Sequence, residues 1–370
     1  MPPGMKRVTS GSDYTACIAS RSDGRSGRMV SRAVVIGNPL LGRDGALSVV
    51  MPTLLWDQHI CLPLQVGTAI EPLTRYKRGG GAFVSVNAGY SPHSFNDSIT
   101  LLAHYRAAVE AHPDLELAAD IDDVSTIASA GRIAVVFDLE DSAPLDDDLD
   151  NLATLASLGV RTLLPCYNHA NRAGSGCLDT EDTGLTAWGK AIVAEMNKVG
   201  IVADGSHCST RTGLDMCEVS SRPVVYSHSC MRSVWDHPRN ITDDQAQVCA
   251  ATGGVIGITG VGIFLGANTP TLEAMTRHLE YAVELVGIDH VGISSDFSFD
   301  HADFNDELLR NPELFDESYT RWGPIQWLPP ETLLTLGEHL ENRGWSSTDI
   351  HAVLGGNFYR VAQHTWVRTQ

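Results

Sequence analysis

Ile133-Ala134-Val135-Val136-Phe137-Asp138-Leu139-Glu140 is the stretch that decides the fold. Its five consecutive apolar residues leave no polar face, as in a strand buried on both sides within a parallel sheet. The run then breaks into acids, and Asp141-Ser142-Ala143-Pro144 ends it. The same signature recurs along the chain: a short apolar run, an abrupt polar end, then a helical stretch. Runs of this kind span 54–59, 83–88, 133–140, 161–168, 201–207, 223–228, 254–259 and 290–296. Amphipathic stretches between them include 97–111, 147–158, 186–199 and 271–286. Asp147-Asp148-Leu149 and Thr242-Asp243-Asp244 put capping and acidic residues where helix starts favour them.

Eight alternations predict an α/β (β/α)8 barrel. The domain expected is a single barrel over residues 29–370, preceded by a flexible leader at 1–28 rich in Ser, Gly and Arg. A doubly wound open sheet is the alternative. It requires a Gly-rich phosphate turn after an early strand, and Gly79-Gly80-Gly81 precedes a strand instead, as a flexible turn does.

Hydrophobic residues make up 43% and charged residues 19% of the chain, an ordinary globular balance. A formal net charge of −19 argues against nucleic acid as a partner. The sequence contains neither a signal-peptide run nor a bilayer-length apolar stretch, and it ends in the polar Arg368-Thr369-Gln370, so no membrane association is expected. Eight cysteines are scattered singly without a C-x-x-C pair, which points to a reduced, cytoplasmic setting.

Active sites of such barrels lie at the C-terminal ends of the strands. Six of the eight runs finish at or beside a reactive side chain: His59, Glu140, His169, His207, His228 and Asp296. One histidine at a strand end is ordinary packing; six reactive groups converging on one mouth make a site. Imidazole and carboxylate donors suit Zn²⁺ or a similar ion, present as one ion or as a pair. Such ions acidify bound water and polarise a carbonyl. Asp296, delivered directly off the last strand, is placed to take a proton from water and pass it to a leaving amine.

Four longer motifs add a resemblance. They are 138–145 around Glu140, Gly184-Leu185-Thr186-Ala187-Trp188-Gly189 leading to Asp204-Gly205-Ser206-His207, Tyr226-Ser227-His228-Ser229 followed by Pro238-Arg239-Asn240, and Leu354-Gly355-Gly356-Asn357-Phe358-Tyr359-Arg360-Val361. Through them the body of the chain, from about Trp56 to Val361, resembles the membrane (renal-type) dipeptidase family of the amidohydrolase superfamily. The resemblance implies a zinc-dependent dipeptidase, assembled as a homodimer, acting on small dipeptides including those with a D- or dehydro-residue. His59 and Glu140 would bind one zinc, with Glu140 bridging to a second held by His207 and His228. His169 would contact the substrate carbonyl oxygen, Arg239 the substrate carboxylate, and Asp296 would shuttle the proton.

The sequence also departs from that pattern. Cys61 stands in Asp57-Gln58-His59-Ile60-Cys61 where the family has aspartate. Three readings of Cys61 follow: a thiolate metal ligand, a neighbour of a depleted first site, or a small buried hydrophobe. Cys208 and Cys230, beside His207 and His228, read as packing residues. On the seventh strand Thr259 and Gly260 stand where an aromatic hydroxyl facing the substrate carboxyl is expected, leaving Thr259 as the smaller substrate contact. Two other functions compete with the dipeptidase: an amide or lactam hydrolase acting on N-acyl amino acids, and a metal-poor, non-catalytic binding homologue.

Overall fold

In the computed structural model, each of the eight apolar runs contributes a strand, and all eight pair in parallel. The structure describes residues 54–366 and, before them, four short strand segments. Those segments belong to a separate unit, Met1–Met51, in which Arg7–Thr9 pairs with Thr15–Cys17 and Leu40–Leu41 with Leu47–Ser48. The expected leader at 1–28 otherwise lies outside the described residues. The barrel belongs to the unit Pro52–Gln370, so residues 29–51, expected within it, fall in the first unit.

The strands are β1 Leu55–Cys61, β2 Ala82–Asn87, β3 Ile133–Leu139, β4 Val160–Leu163, β5 Val202–Asp204, β6 Val224–Ser229, β7 Val255–Ile258 and β8 Val291–Ile293. Each pairs with the next in sequence order. The barrel closes when the chain beyond β8 runs on as Phe297–Ser298 and pairs with Ile60 and Cys61 of β1. β3 is buried at every position, as its unbroken apolar run requires. A register shift between Asp57 and Ile60 of β1 resets the alternation of side chains. Below it Trp56 packs in an inner cluster with Phe83, Val136 and Phe358; above it His59 reaches the mouth.

Helices cover the outside: α1 Phe95–Ala111, α2 Ile121–Ser129, α3 Asn151–Ser157, α4 Ala187–Val199, α5 Thr210–Val219, α6 Asp243–Ala251 and α7 Leu272–Val286; α8 His301–Arg310 follows β8 at the mouth and α9 Asn357–Thr365 lies at the bottom. Capping boxes start α1 (Ser94 with Asp97) and α6 (Thr242 with Gln245), satisfying N–H groups that would otherwise be orphaned. Asp147-Asp148-Leu149 does not start a helix. Asp146 and Asp147 adopt left-handed φ values of 46° and 61°, and α3 begins only at Asn151. No helix among the described residues is long and apolar enough to cross a membrane.

The C-terminal motif plugs the bottom of the barrel. The Asn357 side-chain amide donates to the carbonyls of Ile288 and Val291, at 2.7 Å each. Phe358 fills the space left by Gly292, where a Cβ would come within 2.5 Å of the ring. Gly355 lies against the Leu54 carbonyl, which a Cβ would approach to 2.8 Å. The glycines and the phenylalanine are one packing unit.

Three strands end three or more residues before their apolar runs do: β4, β5 and β8, which stops at Ile293 and leaves Asp296 beyond it. β4 stops at Leu163, because Pro165 has no N–H to extend the ladder. β5 stops at Asp204, where Gly205 and Ser206 turn the chain. His169 and His207 are therefore carried by loops, six and three residues past their strands.

Candidate metal centre

At the C-terminal mouth of the barrel, one carboxylate oxygen sits among three imidazoles. Oε1 of Glu140 is 3.4 Å from Nε2 of His59 and 3.3 Å from Nε2 of both His207 and His228. The other oxygen of Glu140 accepts from the Asn87 amide. The imidazoles are themselves oriented. Nδ1 of His59 is 2.9 Å from Asp138, which also accepts from Ser85 at 2.5 Å. Nδ1 of His207 is 2.7 Å from Oδ1 of Asn168, and Nδ1 of His228 is 2.6 Å from Oγ of Ser227. Each ring thus turns its Nε2 towards the centre, as outer partners of metal-bound histidines do.

Candidate ligand atoms form overlapping groups, each within 4.8 Å: His59, Cys61 and Glu140; His59, His228 and Asp296; Glu140, His207 and His228. Sγ of Cys61 lies 3.3 Å from Nε2 of His59, so the cysteine is at the centre and not in the packing behind it. Cys208 and Cys230 behave as packing residues: both are buried, Cys208 beside the Cys166 sulfur at 3.6 Å and Cys230 against the Thr259 carbonyl.

Electrostatics favour a cation here. Burial, with the neighbouring Asp296 and Asp138, pushes the Glu140 carboxyl up to about 8, although His59 and Arg239 oppose it. Burial also pushes Asp296 up to about 6 and the Cys61 thiol up to about 12. Burial drives His207 and His228 well below the usual histidine range, keeping them neutral. Burial opposes charge on His59 too, yet Asp138 and Glu140 outweigh it and hold the pKa well above that range. Two neutral imidazoles, a third whose charge the surrounding carboxylates favour, the carboxylates themselves and a thiol make a buried donor set that fits a divalent cation of the zinc type.

Three backbone outliers mark the site. Asn168, His207 and Asp296 have φ values of 56°, 63° and 50°. Non-glycine residues in this region cost on the order of 1–3 kcal/mol each and persist where the surroundings enforce them.

Two adjoining cavities, of about 260 Å³ and about 40 Å³, open onto the centre and share Cys61, Glu140, Tyr167, Ser298 and Phe304. His207 and Asp296 line the smaller one. Arg239 is buried, its guanidinium 5.2 Å from the ring of Phe264 in the wall of that cavity. One Nη of Arg239 donates to the His228 carbonyl at 3.0 Å, while Nε has no partner among the described residues.

None of the three expected substrate contacts is itself in the lining of either cavity: Arg239 lies against Phe264, and Thr259 and His169 lie elsewhere. Thr259 is buried and its hydroxyl accepts from the backbone N–H of Val261; Val261 and Phe264, not Thr259, line the smaller cavity. His169 is 37% exposed, with Nδ1 3.2 Å from Asp179, and it lines neither cavity. The sequence reading missed Asn87, Asn168, Tyr167, Tyr319 and α8, which carries Phe304 and Asp303 into the larger cavity. The crowding of Phe297, Phe299, Phe304, Phe315, Tyr319 and Trp327 after β8 was the available signal.

A parallel barrel with a buried histidine–carboxylate–thiol cluster at its mouth defines the class: an α/β barrel with a candidate metal centre. The chain belongs to the membrane dipeptidase family, peptidase family M19, whose family model matches residues 68–323. That span includes Glu140, His207, His228, Arg239 and Asp296 and begins after His59 and Cys61. Among relatives, dipeptidase verJ of Clonostachys rogersoniana is 35% identical over 192 residues, 51% of this chain and 50% of that protein. Dipeptidase 3 of Rattus norvegicus is 28% identical over 263 residues, 69% of this chain and 49% of that protein. The chain thus spans about half the length of these curated relatives. An amidohydrolase from Pseudomonas aeruginosa shares the fold at a TM-score of 0.76 and 26% identity, covering 85% of this chain and 97% of that one.

Proposed function

We propose that this protein is a metal-dependent dipeptidase, with zinc as its ion. The observation that carries the reading is the position of Glu140, whose one oxygen lies within 3.4 Å of three imidazole nitrogens beneath a small cavity. His59, Cys61 and Glu140 would hold one cation; Glu140, His207 and His228 would hold another. When bound, such ions acidify water and polarise the scissile carbonyl.

The chain's own side chains supply the rest. Arg239, buried and with an unpartnered Nε, offers its fork to the substrate carboxylate. Asp296, 3.8 Å from His59 and lining the smaller cavity, takes a proton from the attacking water and returns it to the departing amine. Phe304, Phe264 and Trp327 exclude bulk water, which strengthens each of these interactions. Homodimer assembly belongs to the same reading and rests on the resemblance.

The test is a substrate panel on zinc-loaded protein: L,L and L,D dipeptides, N-acyl amino acids and a tripeptide, followed by amine release. Dipeptide turnover that disappears in Glu140→Gln supports the reading. Turnover confined to N-acyl amino acids, or none at all in metal-loaded protein, contradicts it.

A further inference from the structure

Tyr167 and His169 are separated by one residue and face different surroundings. Asn168 between them has a left-handed φ of 56°, which turns the chain sharply. On one side of that turn the His169 ring bonds Asp179 and is 37% exposed. On the other side Tyr167 is 7% exposed and lines both cavities at the centre. Its ring stacks on the ligand candidate His207 with centroids 4.0 Å apart. Its backbone N–H donates to Asp141 at 2.8 Å, next in sequence to Glu140. Its hydroxyl has no hydrogen bond among the described residues, which leaves the phenol O–H free to meet a ligand in the cavities that Tyr167 lines.

The residues that both cavities share mark where a substrate crossing from one to the other has its scissile bond, because Glu140 lies there. Tyr167 is the donor-bearing aromatic of that shared set. We infer that the Tyr167 hydroxyl, and not His169, is the group that hydrogen-bonds the substrate's carbonyl oxygen as it becomes an oxyanion. The proposal rests on the dipeptidase reading above and adds a catalytic residue to it. As the water oxygen bonds to the carbonyl carbon, the π pair moves onto the carbonyl oxygen. The phenol donates a hydrogen bond to that oxygen and keeps its proton throughout. When the pair returns, the C–N bond breaks and the amine leaves with the proton carried by Asp296. A neutral phenol is a competent donor across the neutral range, and stacking on His207 holds it in place before substrate arrives, which is what makes such donors effective.

The experiment compares Tyr167→Phe and His169→Ala with wild type, all metal-loaded, for dipeptide kcat and KM. Binding of a phosphinate dipeptide mimic, whose anionic oxygen stands in for the oxyanion, is measured by calorimetry. Tyr167→Phe is expected to lower kcat by roughly 10²–10³-fold and to weaken the phosphinate by a comparable factor. KM, metal content and melting temperature should stay close to wild type. His169→Ala should keep kcat within about threefold, since a donor outside the cavities gives little to the transition state. The proposal is overturned if Tyr167→Phe retains wild-type kcat, if it weakens substrate and phosphinate equally, or if His169→Ala carries the loss. A wild-type protein inactive on every dipeptide would remove the underlying reading and this proposal together.

Discussion

Oδ1 of Asn168 lies 2.7 Å from Nδ1 of His207. The same oxygen accepts from the Tyr319 hydroxyl at 3.1 Å, and the amide nitrogen of Asn168 donates to the Leu314 carbonyl at 2.9 Å. A fully buried asparagine thus ties a ligand candidate to the segment that walls the cavity. Asn168→Ala should free the His207 ring and weaken metal affinity by about 10- to 100-fold. Competition titration against a chromogenic chelator measures it; unchanged affinity would show that Asn168 does not orient the ligand.

The Arg239 guanidinium makes a single hydrogen bond among the described residues, to the His228 carbonyl, and leaves Nε unpartnered in a buried position. A charge-assisted contact with a substrate carboxylate contributes about 2–3 kcal/mol. Arg239→Met should therefore lower kcat/KM for dipeptides roughly 30- to 150-fold. Dipeptide amides, lacking the carboxylate, should lose far less. Equal losses on both substrates would place Arg239 in the scaffold and not at the substrate.

Cys61 sits with Sγ 3.3 Å from Nε2 of His59, inside a group that also holds Glu140. Sulfur and imidazole favour zinc, cobalt and cadmium over manganese. The cobalt-substituted protein should show a thiolate-to-cobalt charge-transfer band in the near ultraviolet. Cys61→Ser should abolish that band, and Cys61→Asp should shift preference towards manganese. A cobalt spectrum identical in wild type and Cys61→Ser would show that the thiol is not a ligand.

Asp296 gives the reaction a pH signature. Burial raises its carboxyl to about 6, and only the ionised form accepts a proton. Below that value the base is protonated, so kcat/KM should rise with pH and level off. A cation at the neighbouring Glu140 favours the carboxylate, so the acid limb should fall at about 6 or lower. Asp296→Asn should be nearly inactive across the range. A wild-type limb above pH 7 would assign the base to another group.

The barrel was legible because burial on both faces of a parallel strand writes itself as unbroken apolar runs, and 133–137 is such a run. Glu140, His228 and His59 were legible for the same reason, since each ends or closely follows its strand. Alternation along a strand says nothing about residues on loops. Pro165 ends β4 early, and a left-handed Asn168 then decides which of Tyr167 and His169 faces the centre. Asn87 was missed because its partner Glu140 comes from the next strand of the barrel, a pairing set by register. The wall formed by Phe304, Tyr319 and Trp327 follows β8 without the strand–helix rhythm, and only its aromatic density announces it.

The central claim is that Glu140 is the shared ligand of a cation centre that hydrolyses dipeptides. The most direct measurement is divalent-metal stoichiometry by elemental analysis on purified protein and on Glu140→Ala, with dipeptide hydrolysis assayed on the same samples. The account predicts one to two ions per wild-type chain, dipeptide turnover that rises with occupancy, and loss of both metal and turnover in Glu140→Ala. Wild-type metal content and activity in Glu140→Ala, or a wild-type protein that binds no divalent metal, would contradict it.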